Sequence, residues 1–449
     1  MNQKIDLYPH QQTGLEFLAQ RNFACLWDLP GLGKTAQAIR AADAVAARKI
    51  LVICPAAVRS IWEDELRLWQ TTARPVTTID GYLIEPPGDG VTIVSHACLS
   101  HMPKGGLPPG QFSWPLILQG APYDVIILDE QHLGFKDPGA KRANAFFRGL
   151  CNNKARHVWC LTGTPFVNSA ADLWMLMAFG AKEPYSRNDW ESQFTIRKPD
   201  KYDPRGFKPT GIRQTEKLAH NLKPYALRRT LDSVGIKLPK LTIDESYFSL
   251  PPEKSLPLMQ QLSHFSPRQI ERMLVFGNEP KEKALAQIRR ELGVAKADYA
   301  VELINASVRA ADGPLVVFFQ HTDVRNKLLQ LLRPYRLAVI DGKTPPGKIR
   351  EARSIFDANE LDILLVQLDA GGVGLNLTRS HRVIVTELPW TAVTLFQAIK
   401  RVHRIGQTAP CQAILIQAQN IWLEDLLAKT VSRKAHAADQ LLNLMTVNY

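Results

Sequence analysis

The sequence predicts an α/β protein of two parallel-sheet lobes with a basic, mostly helical insertion between them. Three observations carry this. Short runs rich in Val, Ile and Leu alternate with helical patterns over residues 1–180, and the alternation returns over residues 314–449. Residues 181–313 lose it, becoming rich in Pro, Lys and Arg before turning helical, as a linker with an insertion does. A glycine-rich loop ending in Gly33-Lys34-Thr35 occurs in the first half and has no counterpart in the second, so the second lobe supplies something other than its own nucleotide site.

The totals bound the partners. A chain of 449 residues is long enough for two or three cores, and 45% hydrophobic with 22% charged residues describes a folded chain. A net charge of +12 favours a polyanionic partner such as nucleic acid, although an ordinary basic surface gives the same total. The six cysteines (Cys25, Cys54, Cys98, Cys151, Cys160, Cys411) form no C-x-x-C pair and fall mostly in or beside apolar runs. Reduced core residues are expected rather than disulfides or zinc ligands. The opening MNQKIDLYPH lacks the apolar core of a signal peptide, and no run approaches the roughly 18 residues that span a bilayer. The expectation is a soluble intracellular protein with no membrane partner.

Taken in order, Leu7-Tyr8-Pro9-His10-Gln11 opens a helical pattern. Gln11 can read adenine, since its amide both donates and accepts; a surface glutamine is the competing reading. Residues 23–27 form an apolar strand, residues 28–35 read DLPGLGKT, and residues 36–47 form an Ala-rich helix. This is the strand–loop–helix order of a phosphate-binding loop. Gly31, Leu32 and Gly33 would turn backbone N–H groups around a polyphosphate at the positive end of the helix. Lys34 would reach the β- and γ-phosphates, and the Thr35 hydroxyl would take a Mg²⁺ position. The strict pattern has Gly where Asp28 stands, so a chance glycine-rich loop remains open until the rest of the chain is read.

Lys49–Cys54 (KILVIC) reads as a strand buried on both faces. Residues 56–69 read as a helix with Val58, Ile61, Trp62, Leu66 and Trp69 on its apolar stripe. Arg59 and Ser60 at its start either hold a nucleic-acid phosphate or serve as a solvated charge and a cap. After a short strand at 91–95, residues 124–130 (DVIILDE) deliver Asp129 and Glu130 to the carboxyl end of a strand, where doubly wound sheets place their ligands. Nucleotide hydrolysis needs this pairing: Asp129 to hold Mg²⁺, and Glu130 to orient and polarise the attacking water. Residues 157–164 form a strand ending in Thr162-Gly163-Thr164-Pro165. Its hydroxyls sense a γ-phosphate, contact a nucleic-acid backbone, or simply end the strand in a turn.

Residues 197–223 carry Arg197, Lys198, Lys201, Arg205, Lys208, Arg213 and Lys217 and show no clear strand; residues 281–308 read as an amphipathic helix. The second series has strands at Leu315–Phe319, 336–340, 362–366, 382–386 and 413–416, helices at 324–332 and 348–358, and a helical tail at 422–444.

At residues 369–378 (DAGGVGLNLT) and 397–407 (QAIKRVHRIGQ) the sequence resembles the Swi/Snf family of ATP-dependent DNA translocases, within helicase superfamily 2. The match extends to LYPHQ, DLPGLGKT, LVICPAAVRSIW, DEQH, LTGTP, LRRTLDSVGIKLP and IDGKTPPGKIREARSIF, in the family's order, over most of residues 7–407. It is most like the annealing-helicase branch. The resemblance implies two RecA-like lobes, with ATP bound in the first and the site completed by the second. It implies that Gln11 contacts adenine, that Lys34 and Thr35 hold phosphate and Mg²⁺, and that Asp129 and Glu130 do the hydrolytic work. Arg401 and Arg404 in RVHRIGQ would be the arginines that reach the γ-phosphate; an i, i+3 spacing on a helical segment points both to one face. His132 of DEQH either helps couple the lobes or is a structural histidine.

The implied activity is a DNA-stimulated ATPase that translocates on double-stranded or forked DNA, as a monomer, to remodel or reanneal it or to remove bound proteins. A strand-separating DNA or RNA helicase is the alternative, and a nucleic-acid-binding scaffold without turnover is the third reading. Leu29 and Pro30 replace the family's usual acidic residue and Met, Gln131 stands where a small residue is commoner, Thr391-Ala392 replace Asn-Pro, and Lys400 replaces a small or acidic residue. No bromodomain, chromodomain or zinc finger is recognisable, so the expectation is a nearly bare motor. It would be cytoplasmic or nucleoid-associated in a prokaryotic or viral source, and nuclear in a eukaryotic one.

Overall fold

The fold is that of a computed structural model, which describes residues 6–79, 87–100, 114, 122–133, 135, 141–152, 155–166, 169–182, 185–199, 206–275, 283–310, 313–368 and 375–429. The chain divides into two compact units, the first running to Ile236 and the second starting at Lys237.

The first unit is built on β1 (Phe23–Leu26), β2 (Lys49–Cys54), β3 (Val76–Ile79), β4 (Gly90–Ser95), β5 (Val125–Asp129) and β6 (His157–Leu161). β7 (Ile196–Pro199) and β8 (Phe207–Thr210) form a separate antiparallel pair, and β9 (Ala226–Leu227) returns to the main sheet. All seven strands of that sheet are parallel, in the order β3-β4-β2-β5-β6-β1-β9. A parallel sheet is covered on both faces, so its strands are near-continuous apolar runs; Ile50–Cys54 and Val125–Leu128 are buried throughout. Leu51, Ile53, Ile126, Leu128 and Cys160 pack with Trp27, Phe146 and Phe147 in one layer of the core.

Register sets the site. β6 lies between β5 and β1, pairing Leu161 with Asp129 on one side and with Leu26 on the other. The carboxyl ends of three adjacent strands therefore present the Asp28 loop, the Thr162 turn and the Asp129-Glu130 pair side by side.

The second unit carries β10 (Leu241–Phe248), β11 (Leu315–Phe319), β12 (Leu337–Ile340), β13 (Ile363–Gln367), β14 (Arg382–Val385) and β15 (Cys411–Ala418). They form a six-stranded parallel sheet in the order β10-β15-β14-β11-β13-β12. Successive side chains of β11 point to opposite faces: Val316 and Phe318 enter one core layer, Leu315, Val317 and Phe319 the other. The helix Lys283–Arg309 packs on this sheet, burying Leu285, Ile288 and Leu292 in the first layer and Ala297, Ala300 and Ile304 in the second.

Two expectations are corrected. Residues 181–313 are not a separate linker and insertion; they divide at 236/237, β9 completing the first sheet and β10 forming the edge of the second. β9 has two residues, and β10 carries exposed polar residues, so neither shows an apolar run. Residues 197–223 do contain strands: β7 and β8 form a hairpin despite Pro199 and Pro209, and residues Thr215–Leu222 form a helix. Most of DAGGVGLNLT (369–374), Lys201, Arg205 and the tail beyond residue 429 lie outside the described residues. Among the described residues, no helix is long and apolar enough to cross a membrane.

Candidate nucleotide-binding and hydrolysis site

The loop after β1 turns at Gly31 (φ 98°) and Gly33 (φ 76°) before the helix Lys34–Ala44 begins. Gly33 is required twice: its φ is left-handed, and a Cβ there would lie 2.2 Å from Gln11 Nε2. Leu32 is fully buried, and its carbonyl gathers the loop's supports: Gln37 Nε2 at 2.9 Å, His10 Nε2 at 3.3 Å and Gln11 Nε2 at 3.4 Å. Lys34 Nζ donates to the Asp28 carbonyl at 2.8 Å, and Thr35, half-buried, follows in the first helical turn. Gln11 also accepts from the Tyr8 N–H at 3.1 Å, so its amide caps its own helix and braces the loop.

Asp28, where a glycine stands in the strict pattern, has a structural role. Its side chain is completely buried and is gripped by Arg229, Nε to Oδ1 at 3.0 Å and Nη2 to Oδ2 at 2.5 Å. Arg229 also donates to Gln37 Oε1 at 2.7 Å and to the His10 carbonyl. Gln37 returns a bond to Asp28 Oδ2 at 3.3 Å. β9 delivers Arg229 by pairing with β1, and Leu29 N donates to the Arg229 carbonyl at 3.1 Å. The loop is thus closed from behind by a residue 201 positions downstream.

At the end of β5, Asp129 Oδ2 accepts from Trp62 Nε1 at 2.9 Å and Oδ1 from the Glu130 N–H at 3.0 Å. Burial, reinforced by the charge of Glu130, lifts the Asp129 carboxyl to about 7; the Trp62 bond and the nearby Lys34 ammonium oppose this. Glu130 has φ 49°, a left-handed conformation that strains a residue with a Cβ. It is held there by its N–H to the Leu161 carbonyl at 2.8 Å and by Thr162 Oγ1 donating to Oε2 at 3.0 Å. His132 Nδ1 lies 2.9 Å from Thr162 Oγ1 and 3.3 Å from Glu130 Oε2, and Thr164 N donates to Thr162 Oγ1 at 3.0 Å. His96 Nε2 is 2.8 Å from the Asp129 carbonyl. Pro30 of the loop sits against Gly163, where a Cβ would come within 2.8 Å of Pro30 Cδ. The departure at Pro30 is thus accommodated by the glycine of LTGTP. Gln131 is buried, and among the described residues neither end of its amide is hydrogen-bonded.

The first unit therefore brings together Gln11, Gly31, Leu32, Gly33, Lys34, Thr35, Asp129 and Glu130. Trp62, read only as part of an apolar stripe, and Arg229 were missed as site residues. Arg401 and Arg404 belong to the second unit, and they do not lie on a helix. The helix Ala392–Ile399 ends before them, and residues 400–406 continue as turns. The turns are held by Gln407, whose Nε2 reaches the carbonyls of Ser380 (2.8 Å), Val402 and Thr378 (both 3.2 Å), and by Leu377 N donating to the Arg401 carbonyl at 3.0 Å. Arg404 Nη1 donates to the Leu375 carbonyl at 3.3 Å. His403 Nε2 is 2.8 Å from the Pro239 carbonyl.

The family model for an SNF2-related domain matches residues 115–256, and that for a helicase conserved C-terminal domain matches residues 295–406. The chain belongs to the Swi/Snf family of helicase-like ATPases. It is 26% identical over 411 residues to a SWI/SNF-related matrix-associated actin-dependent regulator of chromatin subfamily A-like protein 1 homolog from Caenorhabditis elegans, covering 89% of this chain and 57% of the relative. It is 25% identical to the human DNA annealing helicase and endonuclease ZRANB3, covering 98% of this chain and 41% of the relative. The chain thus spans about half the length of the curated relatives it matches. The Sulfolobus solfataricus SWI2/SNF2 ATPase core in complex with dsDNA is similar at 22% identity and TM-score 0.43, covering 98% of this chain and 94% of that one. ATP use follows from the family.

Proposed function

We propose that this Swi/Snf-family protein is a DNA-stimulated ATPase that translocates on double-stranded DNA, acting to remodel or reanneal forks or to remove bound proteins. The observation that carries the catalytic part is the Asp129-Glu130 pair beside the Lys34 loop, with Glu130 held by Thr162 and His132. In this reading the N–H groups of residues 31–35 bind the polyphosphate. Lys34 exchanges its bond to the Asp28 carbonyl for a phosphate oxygen, and Gln11 lies on the adenine side. Glu130 takes a proton from the attacking water as its oxygen bonds to the γ-phosphorus and ADP leaves. Arg401 and Arg404 supply guanidinium charge to the phosphoryl oxygens.

The residues fit a Mg²⁺ ion. Asp129 is a buried carboxyl whose pKa is raised first by burial and then by the neighbouring charge of Glu130, a setting that favours a cation, and Thr35 offers a neutral oxygen. Mg²⁺ is commonly held by one or two protein oxygens together with substrate phosphates. When bound, it would neutralise charge on the phosphate oxygens.

The test compares ATPase stimulation by duplex, single-stranded and forked DNA and by RNA, alongside triplex-displacement and strand-displacement assays. Stimulation by duplex with triplex displacement supports the translocase. Strand separation without triplex displacement would replace it with a helicase, and no stimulation by any nucleic acid would remove the motor reading.

A further inference from the structure

The second sheet ends in an open edge along β10. All 8 residues from Leu241 to Phe248 pair in unbroken parallel register with β15. The N–H of Cys411 donates to the Lys240 carbonyl at 2.8 Å, and that of Gln419 to the Phe248 carbonyl at 2.9 Å. Backbone polar groups of successive residues point to opposite sides of a strand. The even-numbered residues therefore face β15, and Leu241, Ile243, Glu245 and Tyr247 turn their N–H and C=O groups outward. Among the described residues, no strand or loop backbone bonds these outward groups. Such an edge is a template for another strand, and proteins commonly blunt it with proline, lysine, a bulge or a covering element. β10 contains no proline, lysine or bulge.

One face of the strand is fixed. Ser246 Oγ lies 2.9 Å from Tyr299 Oη, and the Phe248 ring stacks on that of Tyr299 with centroids 4.2 Å apart, against the helix Lys283–Arg309. Asp244, on the same face, accepts from Gln412 Nε2 at 2.7 Å. On the other face Ile243 is 40% and Tyr247 45% exposed, and Glu245 between them accepts from the Tyr247 hydroxyl. Among the described residues, neither Asp244 nor Glu245 has a cationic partner. A strand built only to repel other strands has no need of two large apolar side chains flanking its acid.

The acids select the occupant. They repel nucleic-acid phosphate. An antiparallel pairing of two copies centred here sets Glu245 against Glu245 or Asp244 against Asp244, and like charges directly opposite are destabilising. Lys or Arg in those places is stabilising instead. We propose that β10 is a docking edge for an extended basic segment of a partner protein, added to the second sheet as a further strand. The residues opposite Ile243 and Tyr247 are apolar, and those opposite Asp244 and Glu245 are basic. Main-chain bonds supply affinity and the alternating side chains supply selectivity. None of these residues takes part in the proposed nucleotide chemistry, so the inference stands apart from that reading.

The probe is a fluorescein-labelled synthetic peptide, TVKKKVT, whose symmetric pattern fits β10 in either direction. It is titrated into the full chain and followed by anisotropy. Saturable binding is expected; the acidic analogue TVEEEVT should not bind, nor should TVKKKVT N-methylated on the amides that face β10. Asp244→Asn/Glu245→Gln keeps both shapes, removes both charges and should weaken binding roughly fivefold. Ile243→Pro removes one outward N–H and leaves the bonds to β15 in place. It should weaken binding roughly tenfold, with circular dichroism melting checking the fold. Absence of saturable binding to wild type overturns the proposal, as does undiminished binding of the N-methylated peptide or of the double variant. A dimer in sedimentation that Ile243→Pro dissolves would assign the edge to a second copy and overturn it as well.

Discussion

Arg229 and Asp28, 201 positions apart, form a buried two-point ion pair behind the nucleotide loop, with side-chain exposure of 0% at each residue. A buried pair of this kind is weak evidence for net stability, but removing one partner strands the other charge in a low dielectric and typically costs about 3–5 kcal/mol. Arg229→Met is therefore expected to lower the urea midpoint sharply and to raise KM for ATP. The loop loses its tether to Gln37 and His10 as well as the pair. Arg229→Met combined with Asp28→Asn removes the stranded charge and should recover much of the stability, while KM stays raised. Full recovery of KM in the double variant would show that Arg229 does not position the loop.

Trp62 is expected to tune Asp129. Its indole N–H is the largest influence holding down a carboxyl that burial and Glu130 push to about 7. Trp62→Phe keeps most of the packing but deletes the donor, so the carboxyl rises further and the carboxylate form becomes scarcer at neutral pH. A hydrogen bond to a charged group contributes roughly 1.5 kcal/mol, about one pH unit. The acid limb of kcat/KM, which reports the free enzyme, should move to higher pH by roughly that amount. A limb that stays in place would separate Asp129 from the pH profile.

Much of this site was legible because its parts are local. DLPGLGKT shows its glycines and Lys34 in one stretch, and DVIILDE shows four apolar residues delivering two acids. What stayed hidden depends on chain segments far apart or on side chains with two characters. Arg229 reaches Asp28 only because the two-residue β9 pairs with β1. Trp62 sits on an apolar stripe, and that reading concealed its polar tip. β10 is an edge strand whose polar residues face outward, so its alternation carried no strong apolar signal. At Arg401 and Arg404, helical spacing was overridden by tertiary bonds: Gln407 gathers three carbonyls and holds the segment in turns.

Glu130 and the second-unit arginines make separable predictions. Glu130→Gln retains the shape and the capacity to accept from Thr162 but loses the base, so kcat should fall by about 10²–10⁴ with ATP binding intact. Lys34→Ala should weaken ATP binding itself, since in the proposed function Lys34 leaves the Asp28 carbonyl for a phosphate oxygen. Arg404→Ala should preserve binding and reduce hydrolysis by about 10³–10⁵, the range for an arginine finger. Fluorescent-nucleotide titration with single-turnover hydrolysis distinguishes the three. Lost binding in Arg404→Ala would move that residue out of the finger role.

Stability should depend on pH through His10 and His403, one in each unit. Burial lowers both below the usual 6.5, with the charge of Arg229 adding to the effect at His10 and that of Lys400 at His403. Above 6.5 neither histidine is protonated, folded or unfolded, and their stability contribution is fully present. As pH falls from 6.5 to the lower folded values, the unfolded chain takes up protons that the folded chain refuses, and stability is lost at up to about 1.4 kcal/mol per pH unit for each histidine. Asp129 acts oppositely: its raised carboxyl takes up a proton in the folded state first, so it adds stability as pH falls below about 7. The histidines are therefore isolated by difference. His403→Gln preserves a donor for the Pro239 carbonyl and removes one titration. Urea unfolding on either side of pH ~6.5 should show a smaller loss of stability on acidification in this variant than in wild type. An identical loss in both would place the acid sensitivity elsewhere in the fold.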